Sequence, residues 1–126
     1  MARILIVEDH PTMRDAMRLV LEENGHEVDD AADGGRGIEL VRGDPPDVLL
    51  LDLNIPVISG EEVMDKLKGD PETARVRIVV VTATGEEGRE RALARGADGY
   101  ITKPFSPLAL LQTVERVLPG SAPSAS

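Results

Sequence analysis

Val48-Leu49-Leu50-Leu51-Asp52 sets four consecutive apolar side chains ahead of a single carboxylate. An unbroken apolar run of this length, closed by a polar residue, suits a strand buried on both faces in the middle of a parallel sheet. The same pattern stands on either side of it. Ile4-Leu5-Ile6-Val7 runs into Glu8-Asp9, and Ile78-Val79-Val80-Val81 runs into Thr82. Between the first two runs, Met13, Met17, Val20, Leu21 and Asn24 recur at helical spacing before Gly25, and Ile38 with Val41 marks a second, short helix. Val63, Met64 and Leu67 mark a third, entered through Ser59-Gly60-Glu61-Glu62 with acids in its first turn. Leu110, Leu111, Val114, Val117 and Leu118 form a last amphipathic stripe ahead of Pro119-Gly120.

Two strands and one helix are weaker in pattern. Asp29 and Asp30 interrupt Val28 to Ala32, which places that strand at a sheet edge. Gly99-Tyr100-Ile101-Thr102 is a short fifth strand. Residues 86–95 are helical by composition, with Ala92 and Leu93 as the apolar anchors of a loosely held helix. Met13 and Met17 read as core, His10 as a solvent-exposed loop residue, and His26 as a turn residue with no assigned role. Strict alternation of five strands and five helices predicts an α/β fold, a parallel sheet covered on both faces and joined by right-handed crossovers. Residues 1–118 form one domain, and the Ser-, Ala-, Pro- and Gly-rich segment 119–126 reads as a disordered tail or linker stub.

Composition narrows the chemistry. The chain has 126 residues with 14 basic and 23 acidic side chains, a net charge of −9, which argues against a nucleic-acid backbone as partner. Aromatic residues are 2%, too few for a base-stacking platform. Cysteine is absent and only two histidines occur, so a metal here should be a hard, oxygen-bound cation. No apolar run approaches a membrane span, and the acids after the first run speak against a secretory signal, so a cytoplasmic location is expected.

In an open parallel sheet, ligands bind beyond the carboxyl ends of the strands. Glu8, Asp9, Asp52, Thr82 and Lys103 all fall there, contributed by four strands. A lone strand-end acid or a lone lysine is ordinarily a solvated surface group; the joint pattern is not. Carboxylates brought to about 4 Å repel by roughly 1–4 kcal/mol per pair. Such a cluster calls for a divalent cation or a shifted protonation state, and an all-oxygen donor set makes Mg²⁺ the natural cation.

The segments Val7-Glu8-Asp9, Leu51-Asp52-Leu53-Asn54-Ile55-Pro56 with Gly60, Val81-Thr82-Ala83 and Gly96-Ala97-Asp98-Gly99-Tyr100-Ile101-Thr102-Lys103-Pro104-Phe105 resemble the receiver domains of two-component response regulators. Any one segment is a weak signal; four in order, each at a strand end, are specific. The resemblance covers residues 2 to about 118. It implies a doubly wound (βα)5 flavodoxin-like sheet in strand order 2-1-3-4-5. It also implies that Asp52 accepts a phosphoryl group from the phosphohistidine of a sensor kinase or phosphotransfer protein. Asp9 and Asp52 would ligate Mg²⁺ by carboxylate, Asn54 by its backbone carbonyl, and Glu8 through a water. Lys103, the Thr82 hydroxyl and the Ala83 backbone N–H would meet the phosphoryl oxygens, and Thr82 with Tyr100 would couple the site to an interaction face. The Lys103-Pro104 bond is usually cis in that family.

The chain would be a phosphoacceptor that catalyses its own phosphorylation and dephosphorylation, not an enzyme acting on an external substrate. Its downstream target is a protein, with no direct contact to nucleic acid or membrane. Ala109 and Thr113 replace the acid and arginine of the DNA-binding dimer subfamily, which weakens that assignment. Three other functions compete. A haloacid-dehalogenase-type phosphatase also uses an Asp nucleophile and Mg²⁺, but requires an acid where Asn54 stands. A flavin or nucleotide binder requires a Gly- or Ser/Thr-rich phosphate loop, where Glu8-Asp9-His10-Pro11-Thr12 is acidic. The third is a receiver-like adaptor that works without phosphorylation.

Overall fold

The computed structural model describes residues 2–83 and 85–118. Five strands and five helices alternate: β1 (Arg3–Val7), α1 (Pro11–Glu23), β2 (Glu27–Ala31), α2 (Gly34–Gly43), β3 (Val48–Asp52), α3 (Gly60–Lys68), β4 (Arg77–Thr82), α4 (Gly85–Ala94), β5 (Gly99–Thr102) and α5 (Pro107–Val117). All strand pairs are parallel and the order is β2-β1-β3-β4-β5, so the sheet is the doubly wound one that the resemblance implied. The segment expected as a tail, 119–126, lies outside the described residues.

The side-chain period of a strand divides the core into two layers. Leu5, Val7, Leu49, Leu51, Ile78 and Val80 face Ile38, Val41, Val63, Met64, Leu67 and Ala92 of α2, α3 and α4. Ile4, Ile6, Val48, Leu50, Val79, Val81 and Ile101 face Met17, Leu21, Leu110 and Val114 of α1 and α5. β3 is buried at every position, which accounts for its unbroken apolar run. β2 is at the edge, as its two aspartates foretold. Among the described residues, side chains cap three helices: Asp33 accepts from the Arg36 N–H at 2.8 Å, Ser59 from Glu62 at 3.2 Å and Ser106 from Ala109 at 3.0 Å.

Three expectations need correction. Leu93 is 44% exposed and anchors nothing; Gly88 and Ala92 are the buried residues of α4. Helix α4 is tied instead to α3 by ion pairs, Arg91 to Glu61 and Arg95 to Asp65, which lie one turn apart on both helices. Met13 is half-buried: it packs against the edge of the α1 and α5 core layer and also lines the cleft at the strand ends. His26 is buried: Nδ1 accepts the Ala2 N–H at 3.2 Å and Nε2 lies 3.6 Å from Glu115, so the residue fastens the start of β1 near α5.

Candidate functional site

The register of the central strands decides what meets at their carboxyl ends. Val7 lies beside Leu51, Asp52 beside Val81, and Thr82 beside Thr102. The chain therefore leaves β1 at Glu8, β3 at Asp52, β4 at Thr82 and β5 at Lys103 on one edge of the sheet. A cleft of about 270 Å³ opens there, lined by Glu8, Asp9, His10, Met13, Asp52, Asn54, Ala83 and Lys103. A larger groove of about 480 Å³ lies at the opposite edge around Arg3 and Glu27 and contains none of these groups.

Local structure after Asp52 is tight. The Leu53 N–H bonds the Val81 carbonyl at 3.2 Å, and the Asn54 N–H donates to Asp52 Oδ1 at 2.9 Å. Ile58 N–H returns to the Pro56 carbonyl at 2.9 Å across Val57, whose φ of 76° is a left-handed conformation uncommon for a β-branched residue. At Gly60 a Cβ would stand 2.7 Å from Leu53 Cα and 2.9 Å from the Asp52 carbonyl, so only glycine lets α3 start this close to the strand end.

The charges are compressed into little space. Glu8 is fully buried, Asp52 is 4% exposed and Asp9 is open to solvent. Their carboxylate oxygens lie within 4.8 Å of one another, the group of acids among the described residues that could hold a metal ion. Lys103 Nζ donates to Asp52 Oδ2 at 2.8 Å and stands 3.2 Å from Glu8 Oε1. Its peptide bond to Pro104 is cis, and its N–H bonds the Thr82 carbonyl at 2.8 Å. Burial would lower the Lys103 pKa, but the Asp52 and Glu8 carboxylates outweigh burial and raise it. At Glu8, burial and then the neighbouring Asp52 raise the pKa. Glu8 Oε2 accepts the His10 N–H at 3.2 Å, whereas Oε1 has an ion-pair partner but no hydrogen bond.

A buried carboxylate oxygen that makes an ion pair but no hydrogen bond is incompletely satisfied, and here it lies among two further acids. With hard oxygen donors only, the site fits a divalent cation of the Mg²⁺ type. Glu8, Asp9, Asp52, Asn54, Ala83 and Lys103 share the cleft. Thr82 is buried at the end of β4 next to Ala83. Tyr100 is not in the cleft; it is half-buried on β5, with the Arg89 guanidinium 5.5 Å from its ring centre. His10 and Met13 line the cleft without having been expected there. Their place on the loop and first turn after Asp9 was the available signal.

An aspartate at the carboxyl end of the central strand is thus paired with a lysine from beyond the last strand and flanked by two further acids, on a flavodoxin-like sheet. The chain belongs to the response regulator receiver domain family, whose sequence model matches residues 4–115. It is 39% identical over 121 residues to protein PilH of Pseudomonas aeruginosa, a match spanning 95% of this chain and all of that protein. It spans about half the length of other curated relatives, several of them transcriptional regulators. Chemotaxis response regulator CheY4 of Vibrio cholerae superposes with a TM-score of 0.88 at 34% identity, over 94% of this chain and 99% of that one. The receiver domain of sensor histidine kinase PA1611 from Pseudomonas aeruginosa matches with a TM-score of 0.85 at 29% identity, over 91% of this chain and 95% of that one. That structure has a magnesium ion coordinated in its active-site cleft. Members of the family are phosphoacceptor switches that work with histidine kinases or phosphotransfer proteins, not enzymes of the usual kind. Among the described residues no helix is long and apolar enough to cross a membrane.

Proposed function

We propose that Asp52 is the phosphoacceptor, and that this chain promotes both the formation and the hydrolysis of its own acyl phosphate in the cytoplasm. The observation that carries the reading is the pairing of Asp52 Oδ2 with Lys103 at the mouth of a cleft whose other acids are crowded and incompletely bonded. An Asp52 oxygen attacks phosphorus as the bond to the donor breaks; for a phosphohistidine donor, the imidazole nitrogen leaves with the electron pair and takes up a proton. Such transfers depend on position and charge neutralisation more than on covalent assistance. Lys103 would neutralise the phosphoryl oxygens, and the Thr82 hydroxyl and Ala83 N–H would donate to them. Glu8, Asp9, Asp52 and the Asn54 carbonyl would hold Mg²⁺, which when bound supplies the remaining positive charge. The phosphoryl donor is a sensor kinase or phosphotransfer protein, and residues 1–118 are the unit that receives it. Thr82 and Tyr100 then pass the change to the face formed by α4, β5 and α5, which meets a protein target and not nucleic acid or a membrane.

Incubation with acetyl phosphate and Mg²⁺, followed by intact-mass measurement, tests this. One added phosphate is expected in the wild type, and none with EDTA added first or in Asp52→Ala. Undiminished labelling of Asp52→Ala would overturn the assignment.

A further inference from the structure

We infer that Arg14 is a positioning residue for the cation site, acting through the main chain of the loop that carries Glu8 and Asp9; the inference rests on the proposed function above. Arg14 lies in the first turn of α1, and its Nη1 reaches back to donate to the Glu8 carbonyl at 2.9 Å. That carbonyl belongs to the peptide unit joining Glu8 to Asp9. A planar peptide moves as one body, so fixing its oxygen fixes the N–H and Cα of Asp9, the point from which the Asp9 side chain leaves the loop. Asp9 needs such help. It is the exposed member of the acid cluster, whereas Glu8 is held by burial and the His10 N–H, and Asp52 by Lys103 and the Asn54 N–H.

The guanidinium is itself held from the other side. Arg14 Nε lies 3.7 Å from Asp30 Oδ1 on β2, and Asp30 Oδ2 accepts from Arg18 Nη1 at 2.6 Å. The Arg14 side chain is 19% exposed, so it is packed between the helix and the strand edge rather than loose in solvent. One aspartate on the edge strand thus steadies the arginine that steadies the loop. Arg18 shares that aspartate but bonds Asp30 and Glu22 rather than the loop, which makes it the natural control.

Charge and geometry predict opposite signs for the loss of Arg14. Removing a cation bonded to the loop that carries Glu8 and Asp9 should tighten Mg²⁺ binding if only Coulomb repulsion mattered. Releasing the Glu8 carbonyl should weaken it, on the order of tenfold for a group that orients metal ligands. Calorimetric Mg²⁺ titration of the full chain, run well below each variant's unfolding midpoint, distinguishes them. Arg14→Met should bind about tenfold more weakly, Arg14→Lys should recover most of the affinity, and Arg18→Met should bind like the wild type even where its midpoint falls. If Arg14→Met does not fold, Arg14→Leu, which also lacks a donor, takes its place with the same expectation. Affinity that is unchanged or tighter in the Arg14 variant, or weakened equally in Arg18→Met, would overturn the inference. A wild type that binds no Mg²⁺, or binds it equally well as Asp9→Ala, overturns the parent reading and this one with it.

Discussion

Glu8 sits with no surface in solvent, one oxygen bonded to the His10 N–H and the other beside Lys103 without a hydrogen bond. Burial first, and Asp52 second, hold its pKa above the ordinary 4.5. The native state therefore keeps this proton longer than the unfolded chain does. The stabilisation it brings is fully present below about the ordinary value and is lost as pH rises through the raised one. Lys103 is also raised, but its contribution disappears only at alkaline pH above the ordinary 10.5, outside that window. Metal-free Glu8→Gln should thus lose this downward slope in thermal midpoint between mildly acidic and neutral pH. At neutral pH it should be more stable than the wild type by on the order of 1 kcal/mol. Scans in EDTA across the range decide it, and a lower midpoint for the variant at neutral pH would refute the account. The acids themselves were legible in the sequence, because a carboxylate directly after an apolar run marks a strand end. Arg14 and His26 were not. Their partners, the Glu8 carbonyl and the Ala2 N–H, are main-chain groups that no side-chain pattern displays.

Helix α4 shows where periodicity stops being informative. Its sequence promised a weakly anchored helix, and burial of only Gly88 and Ala92 fits that promise. What it could not show is that Glu61 and Asp65 on α3 lie opposite Arg91 and Arg95, because each pair is separated by 30 residues of chain. Glu61 accepts two hydrogen bonds from Arg91, at 2.9 and 2.5 Å, and its pKa is lowered chiefly by that contact. Exposed pairs of this kind are screened by salt, whereas apolar packing is not. Amide exchange in residues 85–94 should therefore speed up several-fold from low salt to about 1 M, with α5 little changed, and Arg91→Ala should reproduce the effect at low salt. Equal salt responses in the two helices would show that α4 is held by something other than this ladder. β1, β3 and β4 lie at the other extreme: burial on both faces writes them into the sequence as runs of aliphatic residues.

For the molecule as a whole, the strand order is the property least accessible from local pattern. Alternation of strands and helices predicts a parallel sheet, but 2-1-3-4-5 followed only from resemblance, since every crossover is compatible with more than one neighbour. That order brings groups 95 residues apart in sequence, Glu8 and Lys103, to 3.2 Å. A cation bound only by the folded form should raise stability by about 2.7 kcal/mol at a hundredfold excess over its Kd. Thermal midpoints should rise by several degrees with Mg²⁺ in the wild type and not in Asp9→Ala; equal shifts would place the binding elsewhere. The distance between the two ends of the site also has a consequence in time. A ribosome releases Glu8, Asp9 and Asp52 long before Lys103, so a nascent chain with three strands in hand holds every carboxylate and lacks their ammonium partner. Its sheet can close around Glu8 at full strength only when β5 arrives, which ties completion of the core to emergence of the residue that completes the site.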